Sequence, residues 1–428
     1  MSSIVRRLAA ASDAPVFAIA GGGSRWSVQD LRLAEGIELV DAPRSASVLL
    51  VAGAIEWRQR EAVHRVHDTL PHPRATIRWG SAEDEPLVPG AVPVPSDADP
   101  VPAIRAAHRA LMLGARPSEP PVLPDEEPAP WRGVGPYGQG GSGMTGGVPY
   151  GRPMAELGPD RDGLRLDVLP TRLGPFFAPL VHGLELDLRI AGDVVVGAEV
   201  ASSAVAGADG ATASLFVKAL TKPVPVADLE VARARDHLRW VADALRLQGL
   251  GALSLRALRL ARRAAPGDSA AVLTLEASIA RSGLFRWSLP PADERHREIL
   301  VAASLGPSTR ACGVADDERI ADPAYRALGF SPITGLDGGV ATTWRMRLAE
   351  AARSLELGAR AGDARTSVTG SVESPRGRLS VNDAPAGRAL GLVADLVEGL
   401  EWGDAMSTLA SLDIDLEEMV AVTPRPVT

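Results

Sequence analysis

The chain has 428 residues, 46% of them hydrophobic and 23% charged, so it can bury a sizeable core and is not globally disordered. Its formal charge of −8, from 45 basic and 53 acidic residues, argues against non-specific nucleic-acid binding, which needs a basic footprint. One cysteine, Cys312, excludes an intramolecular disulfide, a cysteine-based zinc site and an iron–sulfur cluster held by cysteines of this chain alone.

At roughly 150 residues per domain, the length suggests two or three domains. No run long and apolar enough to span a bilayer is present, and MSSIVRRLAAASDAP lacks the apolar core of a signal peptide, so the expected location is cytoplasmic.

Residues 1–118 alternate apolar strands with helical patterns. The run 16–20 (VFAIA) ends at Gly21, Gly22 and Gly23; a helical segment follows over 28–34 and a second strand over 37–40. Residues 47–52 (SVLLVA) are a continuous β-branched and leucine run, which predicts a strand buried on both faces. A helix over 58–70 places Ala62, Val63, Val66 and Leu70 on one face, before a short strand over 75–77 and a helix over 102–113. Strands alternating with helices imply a small parallel α/β sheet. Residues 119–146, rich first in proline and then in glycine, have the composition of an interdomain linker.

The block 147–428 opens with strands expected over 164–169, 184–190 and 193–200. Over 227–248, Val231, Ala234, Leu238, Val241 and Leu245 recur at alternating spacings of three and four, and Gly249 can end the helix. Further helices are expected over 252–265, 269–281, 343–357, 387–399 and 403–410, and a β-hairpin over 364–382.

The strand–Gly21-Gly22-Gly23–helix turn resembles a nucleotide-binding turn, with Asp41 about 20 residues on, where a ribose-binding acid would sit. Trp26 stands where the third glycine of the fingerprint belongs. His64 and His67, one helical turn apart and near His72, could approach a metal, but no carboxylate completes the set and a solvated face is the simpler reading. His237, beside Asp236, is expected to be packed or paired, and Cys312 to be a structural thiol.

Residues 45–81 carry Val51-Ala52-Gly53, then Asp68, Pro71-His72-Pro73-Arg74 and Ile77 through Ser81. This order and spacing resembles the small, cluster-bearing subunit of complex I and of energy-converting nickel–iron hydrogenases. The segments GGVPYGRPMAELGPDRDGLRLDVLPTRLGPFF, LELDLRIAGDVV, ADPAYRALGF, ESPRG and SLDID resemble the large subunit of the same systems, the relative of the hydrogenase large subunit and of the quinone-site subunit of complex I. The resemblance implies a fusion: a flavodoxin-like parallel sheet domain over 1–118, the linker 119–146, and a mainly helical α+β, hydrogenase large-subunit-like domain over 147–428.

The departures bear on chemistry. Where the small subunit holds its cluster through cysteines, this chain has Ser24, Ser27, Ala82 and Asp97, which cannot replace thiolates as a set. Asp415 and Glu418 stand at the C-terminal metal-thiolate pair of the hydrogenase large subunit, so no nickel–iron centre is expected. The resemblance therefore implies a redox-silent peripheral-arm subunit with a structural or coupling role. It would carry no cofactor, pair with membrane subunits of an antiporter-like assembly, and lie on the inner face of the cell membrane. The alternative is an NADH/quinone oxidoreductase subunit that works without metal centres, with nicotinamide at Gly21–Gly23 and Asp41 or quinone between the domains; a scaffold without membrane partners ranks last. Arg161 and Asp162 lie in a charged turn, and Glu373 and Arg376 flank a proline where the family places a subunit interface. Asp413 and Asp415 are expected to pair with Arg376 or Arg378 where the family has its metal cavity.

Overall fold

The computed structural model describes residues 3–80, 87–116, 155–177, 180–206, 214–290 and 293–423. The expected linker 119–146 and position Ala82 lie outside them.

Five strands build the first part: β1 (Ala14–Ala20), β2 (Ile37–Leu39), β3 (Val48–Ala52), β4 (Ala75–Trp79) and β5 (Val92–Val94). All pair in parallel, in the order β2-β1-β3-β4-β5. Every residue of β3 is buried, as its unbroken apolar run requires of a strand covered on both faces. Leu49, Val51 and Val63 pack into one cluster, and Val16, Leu50, Ile77 and Ile104 into another on the opposite face. Four helices flank the sheet: α1 (Ser3–Ala11), α2 (Arg25–Asp30), α3 (Arg60–Thr69) and α4 (Val101–Leu113). The helix expected over 28–34 starts three residues earlier and tightens into a 3₁₀ turn at Leu31–Leu33. The sequence pattern gives no sign of β5; as an edge strand it tolerates Pro93, which cannot donate to a ladder.

The second part opens with an antiparallel sheet in chain order: β6 (Leu157–Pro159), β7 (Arg165–Leu173), β8 (Leu184–Ala191) and β9 (Val194–Ser203). Helices follow: α5 (Leu215–Ala219), α6 (Val226–Leu247), α7 (Gly251–Arg263), α8 (Ser269–Arg281), α9 (Leu284–Trp287), α10 (Glu294–Ala303), α11 (Pro307–Ala311), α12 (Pro323–Ala327) and α13 (Val340–Arg360). The hairpin β10 (Ser371–Ser374) and β11 (Gly377–Ser380) precedes α14 (Pro385–Leu390), α15 (Val393–Val397), α16 (Trp402–Leu412) and α17 (Leu416–Val422). The helix expected over 387–399 is thus two short ones, broken beside Gly391.

The two longest helices, α6 and α13, pack along their length around Leu238, Val241, Leu245, Leu348 and Leu355, with Trp240 and Trp344 edge to face at 5.2 Å. The first part docks on α6 and the end of β9. Gln29 Nε2 donates to the Arg239 carbonyl at 2.9 Å, Arg32 pairs with Asp243 at 3.2 Å, and Gln59 Nε2 donates to the Ala204 carbonyl at 2.6 Å. A Cβ at Gly22 would run into the Ala206 carbonyl oxygen, so this close backbone approach needs glycine.

Leu50→Ala leaves a cavity between the sheet and α4 and should lower stability by about 2–5 kcal/mol. The shift of the denaturant midpoint measures it.

Candidate functional site

Arg376 lies in the hairpin turn between β10 and β11, with only 3% of its side chain exposed. The turn presses against the Gly306 backbone, and Gly377, at φ +126°, adopts a conformation that L side chains rarely take. Four carboxylates surround the guanidinium: Asp415 at 3.1 Å, Asp413 at 3.4 Å, Asp236 at 3.8 Å and Glu418 at 4.0 Å. Asp236 comes from α6. Asp413 caps α16 in the left-handed region (φ 49°), which aspartate tolerates better than most residues. Asp415 caps the next helix, its Oδ1 accepting the Glu418 N–H at 2.9 Å, so Asp415 and Glu418 share one end of α17.

Two further arginines enter this cage. Arg347 of α13 pairs with Asp413 at 3.0 Å and lies 4.5 Å over the Trp240 ring. Arg25 of α2 reaches Asp415 at 3.6 Å and Asp413 at 3.8 Å. Three guanidinium groups thus face four carboxylates. Burial, together with the neighbouring aspartates, pushes Glu418 up to about 8, against the pull of Arg376. Burial likewise raises Asp236 and Glu417, each to about 6. Asp415 is desolvated too, yet Arg376 and Arg25 hold it below the usual carboxylate range. Of the two expected pairing partners, Arg376 meets Asp413 and Asp415, whereas Arg378 is largely exposed and faces Glu318 at 3.5 Å.

A second buried network lies behind the same hairpin. Arg310 pairs with Glu350 and with Glu373, each at 2.6 Å, and with Asp317 at 3.3 Å. Arg319 pairs with Asp317 at 2.7 Å and Glu230 at 3.3 Å, and Tyr325 Oη donates to Glu230 at 2.6 Å. Burial, with Asp317 nearby, raises Glu373 to about 7. Burial lowers His237 to about 4, so the imidazole stays neutral 3.4 Å from Glu350. Sequence reasoning singled out Glu373 and anticipated a packed or paired His237, but missed the rest. The signal was the spacing of Glu230, Arg233 and His237 on α6, and of Arg347 and Glu350 on α13, all on the face that packs inward.

A cavity of about 380 Å³ opens between the two parts, with the Arg376 cage behind its inner end. Leu180, Val181, Leu184, Leu247 and Leu409 supply apolar wall. Arg25, Arg32 and Arg246 line it against Asp41, Asp243, Asp413, Asp415 and Glu417. His182, not singled out by sequence, also lines it: its Nδ1 accepts the Ala20 N–H at 2.8 Å, and desolvation holds its pKa down at about 4.

The glycine turn is engaged by the protein itself. The N–H groups of Gly21 and Gly22 donate to the carbonyls of Ala52 and Ala54, and that of Gly23 to Glu417 Oε1 at 3.0 Å. Asp41 pairs with Arg246. Ser24 is buried, its hydroxyl donating to the Gly21 and Ala52 carbonyls at 2.8 and 3.0 Å, whereas Ser27 and Asp97 are exposed. The structure therefore does not gather Ser24, Ser27 and Asp97 as one donor set. Arg161 and Asp162 occupy an exposed turn, where Arg161 meets Glu401 at 2.7 Å. His67 is held by Thr76 at 3.0 Å and Arg74 at 3.1 Å, and no metal-holding group of three or more His, Cys, Asp or Glu occurs among the described residues. Cys312 is buried, its thiol bonded to the Ser308 carbonyl, in the apolar core that also holds β8, α15 and α16.

No family model and no curated protein matches the chain. A solved structure to which it is similar is a chain of the membrane-bound sulfane sulfur reductase, an archaeal respiratory membrane complex, at 16% identity and a TM-score of 0.42 over 59% of this chain and 98% of that one. No helix among the described residues is long and apolar enough to cross a membrane.

Arg376→Ala strands buried carboxylates and should cost about 3–5 kcal/mol, whereas Arg378→Ala should change stability by no more than about 0.5 kcal/mol. Urea denaturation of both variants checks the contrast. A carboxyl raised from 4.5 to about 8 is protonated in the folded chain and ionised in the unfolded chain between those limits. Its contribution is complete at low pH and is lost as pH rises through the folded value. Thermal melting should therefore fall as pH rises from about 5 to about 8, and Glu418→Gln should remove part of that fall.

Proposed function

We propose that the chain is a redox-silent subunit of a membrane-associated, respiratory-type complex related to complex I and the energy-converting nickel–iron hydrogenases. In it the small and large subunits are fused, and the role is structural or coupling. The observation that carries this reading is the donor set at Asp415 and Glu418. Where the resemblance puts metal thiolates, this chain has a helix-capping aspartate and a buried glutamate, both turned toward Arg376. Hard carboxylates already paired with a guanidinium do not suit a nickel–iron centre, and Cys312, the sole thiol, bonds to the Ser308 carbonyl and is not among the groups around Arg376. The residues present do not fit the metal group. The strand order of the first part supports its flavodoxin-like assignment.

A second reading, quinone binding, is favoured by the cavity between the two parts. Its arginines are already paired with carboxylates, Arg246 with Asp41, Arg32 with Asp243 and Arg25 with Asp415, which leaves little to draw an anionic dinucleotide, while the apolar wall accommodates a neutral ring. The glycine-turn amides, each donating to a protein acceptor, give pyrophosphate no cradle in this arrangement.

Tagged protein extracted from its own host's membranes in mild detergent should bring antiporter-like and other membrane subunits with it, with iron and nickel far below one per chain. Recovery of the protein alone from the soluble fraction overturns the subunit reading. Calorimetric titration with a short-chain ubiquinone analogue and with NADH separates the alternatives. Saturable quinone binding weakened by Leu409→Trp supports the second reading, and NADH binding weakened by Asp41→Ala would restore the nicotinamide one.

A further inference from the structure

Helix α1 is turned inside out. Its alanines Ala9 and Ala10 are half-buried, while Ile4 and Leu8, one turn apart on a common face, are 69% and 68% exposed. A helix packed for stability alone turns its larger apolar residues inward. This one rests on α4, where His108 ties it down: Nδ1 meets the Ser47 hydroxyl at 2.9 Å and Nε2 the Ala9 carbonyl at 3.1 Å. Arg6 lies beside Gly114, which brings the first turns of α1 next to the exposed Leu113 at the end of α4.

The charge carried by the two helices has one sign. Helices α1 and α4 carry Arg6, Arg7, Arg105 and Arg109, all exposed, and no acidic residue, in a chain whose net charge is −8. The nearest acids in sequence, Asp13 and Asp99, lie beyond the helix ends. Exposed aliphatic side chains interleaved with arginines complement a surface that is apolar beneath and anionic on top. Arginine stems can lie along the boundary while their heads meet phosphates.

We propose that α1, backed by the end of α4, docks on anionic phospholipid bilayers, with Ile4 and Leu8 entering the acyl boundary and Arg7 and Arg109 meeting lipid phosphates. This goes beyond the subunit reading and stands without it, because it requires no partner protein.

The test is co-sedimentation of the purified full-length chain with phosphatidylcholine vesicles and with mixed phosphatidylcholine–phosphatidylglycerol vesicles. Binding to the mixed vesicles, weakened by salt, is expected. Ile4→Ser/Leu8→Ser should reduce partitioning roughly tenfold or more, and Arg7→Gln/Arg109→Gln should abolish the preference for anionic lipid. These positions are on the surface, and an unchanged melting temperature verifies that each variant is folded. No binding to anionic vesicles, or binding that the Ile4/Leu8 variant leaves unchanged, overturns the proposal. Recovery of membrane subunits that depends on Ile4 and Leu8, without vesicle binding, overturns it in favour of a protein contact. Vesicle binding without co-purifying subunits retains it while removing the subunit reading.

Discussion

One guanidinium group, that of Arg376, stands at the meeting point of the hairpin, α6, α16 and α17. Desolvating four carboxylates around it is costly, and the attraction of a single arginine does not offset that cost. The structure answers in two ways. Arg347 of α13 and Arg25 of α2 add two guanidinium groups, and Glu418, with the most distant of the guanidinium contacts and a serine hydroxyl at 3.4 Å, is left to hold a proton. The geometry of the hairpin follows from this demand. Gly377 and Gly306 let the backbones approach closely enough for the arginine to be enclosed, and the Asp413 backbone turns left-handed to present its carboxylate inward.

Much of the scaffold was legible because local pattern and tertiary role agree. The apolar run of β3 is buried on both faces, and the three–four periodicity of α6 faces α13. What was not legible depends on contacts distant in sequence. The short helix α17 has no long apolar stripe and is marked mainly by its Asp415 cap. Edge strand β5 is held by β4 rather than by its own composition. The charged face of α6 looks like a solvated face until α13, α11 and the hairpin are seen to cover it. Asp413, Asp415 and Arg376 could be proposed as partners from the resemblance. Arg25 could not, because only docking of the first part carries it about 390 residues along the chain to Asp415.

The seam between the two parts combines features that rarely occur together: backbone packed against glycine, side chains hydrogen-bonded to carbonyls, and an amphipathic cavity ending at the charge cage. A polar, well-keyed seam is in keeping with the structural or coupling role proposed above.

Arg25 gives the cage a dependence on both parts of the chain. Were they separate polypeptides, completing the charge balance around Asp413 and Asp415 would require a bimolecular encounter and would fail on dilution. On one chain the same arginine is supplied at a high effective concentration that does not change with expression level. Closure of the cage becomes a first-order event whose extent is independent of how many copies the cell contains. Stoichiometry between the two parts, which separate genes must regulate, is fixed here by covalent connection.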